Sequence, residues 1–322
     1  MKLRLWLLIG LLLVAAGCSN SAAKEQDTVR IGIQQSLSPL WIAKENGWFE
    51  EAFKEVGVDV EWVEFQSGPP QFEGIAANKL DFTEVGNTPV IGGQAAGVAF
   101  KEIAATADGY KANAILVNKG SDIQSVDDLK GKKIAVAKGS SAFGFLYQVL
   151  EQSGVNPEEV EIIQLQPDEA RPAFENGSVD AWSIWEPFIS IQLIENEAEV
   201  LVNAEDIGRS SLSFAIARTG IIEDNPELVD IFIEVFSKAA EWRMENKEEA
   251  VQLFSELRDL DPEVVDSVLT NTNTFAKPIT KEFIASQQDV ADLLYELKAI
   301  EKEIDTSKVV DNSFVEKISV GE

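Results

Sequence analysis

The stretch IAVAKGSSAFGFLYQVLEQSG, residues 134–154, decides the class of fold. An apolar run leads into a Gly-Ser-Ser turn, and the turn leads into a segment with helical periodicity. Apolar residues of that segment fall on one stripe of a helix; they are Ala142, Phe145, Leu146, Val149 and Leu150. Gly154 ends the pattern, as glycine commonly does after a helix. The stretch therefore predicts a buried strand, a turn and an amphipathic helix.

The same pattern repeats on the N-terminal side of this stretch. Runs rich in β-branched residues predict strands at TVRIGIQ, VDVEWVEFQ, LDFTEVG, FKEIAATA and NAILVNKG. Ser38 is expected to cap the first helix, with Pro39 in its first position. Asn87 or Thr88 is expected to open a later helix, ahead of Pro89. Such alternation is typical of a parallel, doubly wound α/β sheet whose strand ends carry the ligand.

A second unit of the same kind begins near Lys119 and is inserted into the first. The segment SLSFAIART is expected to return as a strand to the first unit, and the rest of the chain is mainly helical in pattern. We therefore expect two lobes joined by two crossings. The first lobe would comprise residues 28–115 and 215–322, and the second residues 116–214.

The composition argues against several classes of function. The chain has 322 residues, with 55 acidic and 27 basic side chains and a net charge of −28. A surface so negative repels nucleic acid and anionic lipid, so we expect neither as a partner of the folded body. The chain has no histidine, which removes the commonest general base and metal ligand. We expect no catalysis, no metal site and no cofactor.

The first residues, MKLRLWLLIGLLLVAAGC, predict an export signal. Lys2 and Arg4 precede an apolar run that is too short to span a bilayer comfortably, and small residues follow it. Cys18 occupies the place of the acylated residue in bacterial lipoproteins; a plain signal with an incidental cysteine is the alternative. We expect a signal peptide over residues 1–17 and a flexible tether over 18–27. The protein would then be exported and anchored by Cys18 to the outer face of the cell membrane.

Two predicted turns have the features of an anion-binding site. Gly139, Ser140 and Ser141 follow a buried strand and open a helix, where unpaired N–H groups and the helix dipole favour negative charge. Asn87 and Thr88 stand at a comparable turn in the other unit. Ordinary helix capping explains either turn by itself. One such turn in each lobe favours a shared cleft.

Nucleotide and hydrolase motifs are missing from the sequence. It contains no G-x-x-x-x-G-K-[ST], no G-x-G-x-x-G opening a helix and no G-x-S-x-G. Aromatic residues near the predicted turns are more informative. Trp185 falls at a strand end, where lining of a cleft and ordinary packing are equally good interpretations. Phe143 follows the two serines and is placed to cover an apolar ligand tail.

Several segments together resemble the aliphatic sulfonate-binding proteins of ABC transporters, which belong to a larger group with taurine- and nitrate-binding relatives. The segments that carry the resemblance are WVEFQSGPP, LDFTEVGNTPVIGGQAAG, DLKGKKIAVAKGSSAFGFL, PDEARPAFENGSVDAWSIWEPF and TFAKPITKEFIASQQDVADLLYE. The resemblance implies a type II periplasmic-binding-protein-like fold, in which two α/β lobes meet at a two-strand hinge. It also implies an alkanesulfonate ligand, delivery to the membrane permease of an ABC transporter, and a monomer.

Site residues follow from the matching positions. The resemblance implies these sulfonate contacts: Gly139, Ser140 and Ser141 in the K-G-S-S turn, Asn87 and Thr88 in the G-N-T-P turn, and Gln35 and Ser36 after the first strand. Trp185 would lie near the organic tail. Phe143 replaces a polar imidazole of the better-known enteric relative and implies a more apolar pocket.

Other interpretations stay open on the sequence alone. The ligand could be taurine, nitrate or another small anion, and Glu186 or Glu84 could then serve the ammonium group of taurine. A sensor that reports its ligand to a partner is a third possibility. An enzyme on the same fold, such as a synthase of thiamine-precursor biosynthesis, would need reactive histidine and cysteine. The absence of histidine argues against that interpretation.

Overall fold

The computed structural model describes residues 27–319. The predicted signal peptide, Cys18 and the predicted tether up to residue 26 lie outside these residues. The strands of the described part are β1 (Thr28–Gln34), β2 (Asp59–Phe65), β3 (Phe82–Gly86), β4 (Phe100–Gly109), β5 (Asn113–Val117), β6 (Lys133–Val136), β7 (Glu161–Gln164), β8 (Ala181–Trp185), β9 (Glu199–Asn203), β10 (Ser211–Arg218) and β11 (Thr274–Lys277).

The same region contains thirteen α-helices, several of which begin at a capping residue or a proline. They are α1 (Pro39–Glu45), α2 (Trp48–Lys54), α3 (Pro69–Ala76), α4 (Asn87–Ala95), α5 (Ser141–Gln152), α6 (Pro167–Glu175), α7 (Phe188–Glu195), α8 (Thr219–Asp224), α9 (Pro226–Glu245), α10 (Lys247–Arg258), α11 (Pro262–Asn271), α12 (Lys281–Glu296) and α13 (Val315–Ser319). The predicted start of α1 is confirmed, since Ser38 accepts a hydrogen bond from the N–H of Leu40 and Pro39 follows it.

Two sheets divide the strands between two lobes. The first sheet has the order β11-β4-β10-β3-β1-β2, and the second has the order β7-β6-β8-β5-β9. In each sheet, the first strand of the βα unit (β1 or β6) lies between the second (β2 or β7) and the third (β3 or β8). The other neighbour of the third strand is β10 or β5, and that strand comes from the other lobe. This shared order confirms the predicted two-lobe α/β fold with a two-strand hinge. We call each sheet with its helices the first or the second lobe.

The sheets are mixed, whereas the sequence predicted parallel ones. Strands β1, β2 and β3 are parallel, but β10 runs antiparallel to both β3 and β4. In the second sheet, β5 is likewise antiparallel to β8. Strands β10 and β5 arrive from the other lobe and enter their new sheet against its direction, and the edge strand β11 is also antiparallel to its neighbour β4.

The lobe boundaries also differ by a few residues from the expected ones. Strand β5 pairs along its whole length in the second sheet, and β10 pairs along its whole length in the first. The expected boundaries, after residues 115 and 214, would each cut through a strand. A strand keeps its hydrogen bonds only within one sheet, so the crossings lie in residues 110–112 and 204–210.

Packing across the lobes is provided by α12. Its residues Val290, Ala291 and Leu294 are buried with the apolar stripe of α5 in the core of the second lobe, and Ile91 of α4 joins the same cluster. Helix α4 belongs to the first lobe. One apolar cluster therefore spans the boundary between the lobes behind the start of α5.

A buried ion cluster fixes the entry of β3 into the first sheet. Asp81 is fully buried and accepts hydrogen bonds from Arg30 Nε at 2.9 Å and from Arg218 Nη2 at 2.7 Å. These arginines belong to β1 and β10, the two neighbours of β3. Buried carboxylates are tolerated when hydrogen-bonded cations surround them, and here the cluster ties three adjacent strands together.

A second buried carboxylate, Glu102 of β4, has no such cation. Its Oε1 accepts a hydrogen bond from Gln287 Nε2 of α12 at 2.7 Å, while Glu102 Oε2 and Gln287 Oε1 are buried without a partner. A proton on Glu102 would turn one of these two acceptors into a donor. Burial raises the pKa of Glu102 to about 8.

Stability should therefore fall as the pH rises through the neutral range. The folded state holds a proton on Glu102 that the unfolded state has already released, so the free energy of unfolding declines between about pH 5 and about pH 8. A pKa that differs by one between the folded and unfolded states corresponds to about 1.4 kcal/mol. Glu102→Gln should flatten this decline and stabilise the protein at pH 8, as measured by urea unfolding at a series of pH values. The exposed Glu73→Gln is the control, and equal slopes for wild type and Glu102→Gln would contradict the assignment.

Candidate functional site

The start of α5 presents the predicted Gly-Ser-Ser turn. Ser140 is the N-cap, and its hydroxyl oxygen accepts a hydrogen bond from the N–H of Phe143 at 3.2 Å. That bond leaves the hydroxyl proton of Ser140 free to donate elsewhere. Gly139 has φ of 73°, a left-handed conformation that favours glycine. The N–H groups of the first turn have no acceptor inside the helix, so the turn offers several donors at one point.

The start of α4 is built differently from the sequence prediction. Gly86, rather than Asn87 or Thr88, occupies the N-cap position, and no side chain caps this helix. Asn87 and Thr88 form its first turn and are buried. Sequence reasoning favoured the polar residues as caps. Gly86 lies against the other lobe, and this contact explains why a glycine occupies the N-cap position.

The first turns of α4 and α5 meet across the cleft. A Cβ atom added to Gly86 would lie 2.9 Å from Ser141 Cβ, and one added to Gly144 would overlap Thr88 Oγ1. Real Cβ atoms do not approach so closely, so both positions need glycine in this arrangement. The lobes are therefore closed on each other at the two helix starts.

A cavity of about 120 Å³ lies beside this contact, between the lobes. Hydroxyl groups are the commonest polar groups on its walls. The hydroxyl-bearing residues are Ser36, Ser38, Ser140, Ser141, Ser211, Ser213, Thr272 and Thr274. Its size is below the range of about 300–1,000 Å³ typical of pockets for drug-sized ligands. The space suits a small polar ligand.

Four of the nine predicted ligand residues line this cavity: Ser36, Ser140, Ser141 and Trp185. The lining also includes Gln34, where the neighbouring Gln35 was predicted; Gln34 Nε2 donates to the carbonyl of Glu84 at 3.1 Å. Trp185 packs edge-on against Phe188, with ring centroids 6.0 Å apart. Both interpretations of Trp185, packing and cleft lining, therefore hold.

The structure places three other predicted residues, Thr88, Gly139 and Phe143, on a second cavity of about 540 Å³. That cavity is bounded by α3, α4 and the segment after α12. Phe143 packs there against Tyr147, with ring centroids 4.7 Å apart. Asn87 is among the residues that line neither cavity. These four residues are therefore not brought together with Ser36 and Trp185.

Sequence reasoning missed the side chains that join α5 to the hinge. Ser141 Oγ donates to Asn113 Oδ1 at 3.0 Å, and Asn113 Nδ2 donates to Ser211 Oγ at 2.7 Å. Asn113 opens β5 and Ser211 opens β10, so both stand just after a crossing. A polar chain therefore connects the start of α5 to both hinge strands. Asn113 and Ser211 are 98 residues apart in the sequence, and no local sequence pattern indicates that they pair.

Two buried carboxylates also line the cavity. Glu186 accepts hydrogen bonds from Ser190 N at 3.0 Å, from Ser190 Oγ at 2.9 Å and from Asn271 Nδ2 at 2.9 Å. Burial raises the pKa of Glu186, and these bonds act in the opposite direction. Burial likewise raises the pKa of Glu84, opposed by the hydroxyls of Thr106 and Ser38 and by the charge of Arg243.

Arg243 of α9 lies behind the cavity wall and is 2% exposed. Its guanidinium donates to the carbonyl of Thr272 at 3.0 Å, to Thr272 Oγ1 at 2.6 Å and to Thr274 Oγ1 at 2.9 Å. Burial lowers the pKa of Arg243 to about 10, and Glu84 acts in the opposite direction. The Thr274 hydroxyl accepts from Arg243, so its own proton remains available as a donor.

Two other kinds of site are missing from the described residues. No group of three or more His, Cys, Asp or Glu side chains within residues 27–319 could hold a metal ion. No helix in that part of the chain is long and apolar enough to cross a membrane.

Two α/β lobes that close on a small cavity lined by several hydroxyl groups are the architecture of the periplasmic-binding-protein fold. Comparison with known proteins agrees, because the family model described as NMT1/THI5 like matches residues 34–250. A protein of Bacillus subtilis strain 168 named for binding aliphatic sulfonates is 54% identical over 321 residues, covering 98% of this chain and 97% of that one. A protein of the same name from Escherichia coli strain K12 is 33% identical over 299 residues, covering 92% of each chain.

A solved structure extends the likeness to three dimensions. The alkanesulfonate-binding protein SsuA from Xanthomonas axonopodis pv. citri, bound to MOPS, superposes with a TM-score of 0.84 and is 30% identical. The match covers 90% of this chain and 99% of that chain. The chain belongs to the aliphatic sulfonate-binding proteins within the NMT1/THI5-like family. The relatives named here are binding proteins.

Proposed function

We propose that this protein captures an aliphatic sulfonate in the cavity between its lobes. The observation that carries the proposal is the position of Ser140 and Ser141, at the start of α5, on a cavity lined by hydroxyl groups. The names of the relatives support the same class of ligand. Neither lysine nor arginine stands among the described lining residues, so neutral donors must bind the anion.

A sulfonate group matches this set of donors. It is ionised at any physiological pH and offers three acceptor oxygens. The N–H groups of the first turn of α5 and the Ser140 hydroxyl can donate to it, and the helix dipole adds a favourable field. Micromolar affinity requires about −8 kcal/mol. A few hydrogen bonds to a charged group, at roughly 1.5–3 kcal/mol each, reach that value before the cost of ordering.

Capture would proceed by closure of the lobes. The cavity takes Ser36 and Glu84 from the first lobe and Ser140 and Trp185 from the second, so a ligand touches all of them only when the lobes are closed. The contact between the starts of α4 and α5 seals one side of this cavity. A closed lobe pair would also be the form that an ABC permease recognises.

Export, anchoring and delivery complete the proposal. The signal peptide over residues 1–17, the acylated Cys18 and the tether place the folded body outside the membrane, beside a permease, as a monomer. Binding without chemical conversion agrees with a sequence that has no histidine and a single cysteine, Cys18. A sensor of the same ligand is the alternative, and a receptor kinase gene beside this one would favour it over transport.

Removing the two serines should weaken sulfonate binding. Ser140→Ala with Ser141→Ala is expected to lower the affinity for ethanesulfonate at least tenfold by calorimetry, because the Ser140 hydroxyl is lost as a donor to a charged group and the bond from Ser141 to Asn113 that holds the turn is broken. Loss of the N-cap also costs about 1 kcal/mol of stability. Thr280→Ala removes an equivalent cap from α12 at a residue that does not line the cavity, and should not change affinity. Unchanged affinity in the double variant would refute the assignment.

Blocking closure should weaken binding without destabilising the fold. In Gly144→Ala the new methyl group would overlap Thr88 Oγ1, which disfavours the closed lobes. Affinity for ethanesulfonate should fall by roughly tenfold, since apparent affinity scales with the closed fraction. The melting temperature should hold or rise because alanine favours the helix. Gly92→Ala is the control, since a Cβ there meets nothing within 4 Å; equal affinities for the two variants would contradict the closure argument.

Mass spectrometry of the mature N-terminus tests the anchor. We expect the chain to begin at Cys18 with a lipid on its sulfur, and Cys18→Ser to release the protein from the membrane fraction. Cleavage at another residue, or an unmodified Cys18, would exclude the lipoprotein assignment.

A further inference from the structure

The cavity between the lobes has an unusual charge for an anion site. Glu84 and Glu186 are the charged residues among its described lining. Glu84 is 9% exposed and Glu186 is 5% exposed. A ligand that is purely anionic would therefore enter a small, poorly solvated space whose described lining carries two carboxylates and neither lysine nor arginine. Like charges repel most strongly in such a space.

Glu186 is already occupied by the protein's own donors. Both of its oxygens accept hydrogen bonds, from the N–H and hydroxyl of Ser190 and from the amide of Asn271. These bonds tie α7 and α11 to the end of β8 and compensate much of the charge. Glu186 thus has a structural role that explains its burial.

Glu84 remains as the carboxylate that can meet a ligand. It lies on β3 two residues before Gly86, and Gly86 is in contact with Ser141. Residues two apart on a strand face the same side and stand about 7 Å apart. The backbone position of Glu84 is therefore about the length of a short ligand away from the point where β3 meets the start of α5. Arg243 lies close enough to favour the ionised form of Glu84, but its guanidinium donates to Thr272 and Thr274.

We propose that the preferred ligand is an aminoalkanesulfonate, whose sulfonate binds at Ser140 and Ser141 and whose ammonium group binds Glu84. The inference rests on the proposed function, since it names the kind of sulfonate that the same cavity takes. A zwitterion brings its own cation to the buried carboxylate and its anion to the neutral donors. Both ends of the ligand then meet a complementary group, and two or three carbons suffice between them.

Another role for Glu84 makes an opposite prediction. If Glu84 were protonated in the complex, it would donate a hydrogen bond to the sulfonate and would favour ligands without an ammonium group. Burial raises the pKa of Glu84, while the charge of Arg243 favours its ionised form. The two roles therefore differ in the ligand preferred and in the sign of the pH dependence.

Calorimetry with taurine and ethanesulfonate separates these roles, because both ligands have two carbons and differ in the ammonium group. We expect taurine to bind at least tenfold more tightly to the wild-type protein near pH 7.5. Equal affinities, or a preference for ethanesulfonate, would overturn the inference while leaving sulfonate capture intact. Binding of neither ligand would overturn both the inference and the proposed function.

Variants assign the preference to one side chain. Glu84→Gln should lower the affinity for taurine at least tenfold and leave that for ethanesulfonate equal or higher. Glu102→Gln is the matched control, a buried glutamate of the same lobe that does not line the cavity, and its ratio of affinities should equal that of the wild type. An unchanged ratio in a folded Glu84→Gln protein would refute the role of Glu84.

The pH dependence of the wild-type protein needs no variant. Taurine should bind more weakly as the pH falls, because Glu84, whose pKa is raised by burial, takes up a proton. The groups that face Glu84 are Arg243 of α9 and the hydroxyls of Ser38 and Thr106, with Glu186 on the same cavity. Of these, Glu186 is the other carboxylate, and ethanesulfonate reports the effect of its protonation. Ethanesulfonate binding that weakens as the pH rises, with taurine unaffected, would support the protonated donor and reject our proposal.

Discussion

The close approach of two helix starts governs the arrangement of this molecule. Gly86 and Gly144 let the first turns of α4 and α5 touch across the cleft, where any side chain would collide with Ser141 or Thr88. The contact brings the donors of α5 to a wall formed by β3. It also divides the space between the lobes into two cavities of about 120 and 540 Å³. The shape of the cavities thus depends on two glycines, Gly86 and Gly144, which have no side chain to keep the helix starts apart.

Buried charged side chains of the first lobe are compensated in three different ways. Asp81 is surrounded by arginines, Arg243 donates to threonines of the cavity wall, and Glu102 meets an amide in place of a cation. A buried ion without a compensating partner shifts its pKa until it loses its charge. Glu84 differs because it borders an open cavity. Its compensation can therefore come from a ligand.

Local features of the structure followed from the sequence, and long-range ones did not. Ser38 and Ser140 were predictable as caps because their effect reaches only two or three residues along the chain. The role of Gly86 depends on Ser141 of the other lobe, and that of Asn113 depends on Ser211. Strand β5 looked like a continuation of the first unit because pairing partners leave no mark on a strand's own pattern. The helix starts formed by local motifs were therefore predictable, whereas the contacts made by the hinge strands were not.

The acidity of the whole chain bears on the kind of ligand it can collect. A net charge of −28 repels anions in the surrounding solution, and this effect slows their arrival at low ionic strength. A zwitterion has no net charge and is not repelled in this way. Inside the cavity, its ammonium group would lie at the Glu84 carboxylate and its sulfonate at the start of α5, where the helix dipole favours negative charge. An aminoalkanesulfonate therefore suits both the outer surface and the cavity, whereas a simple sulfonate suits only the donors of α5.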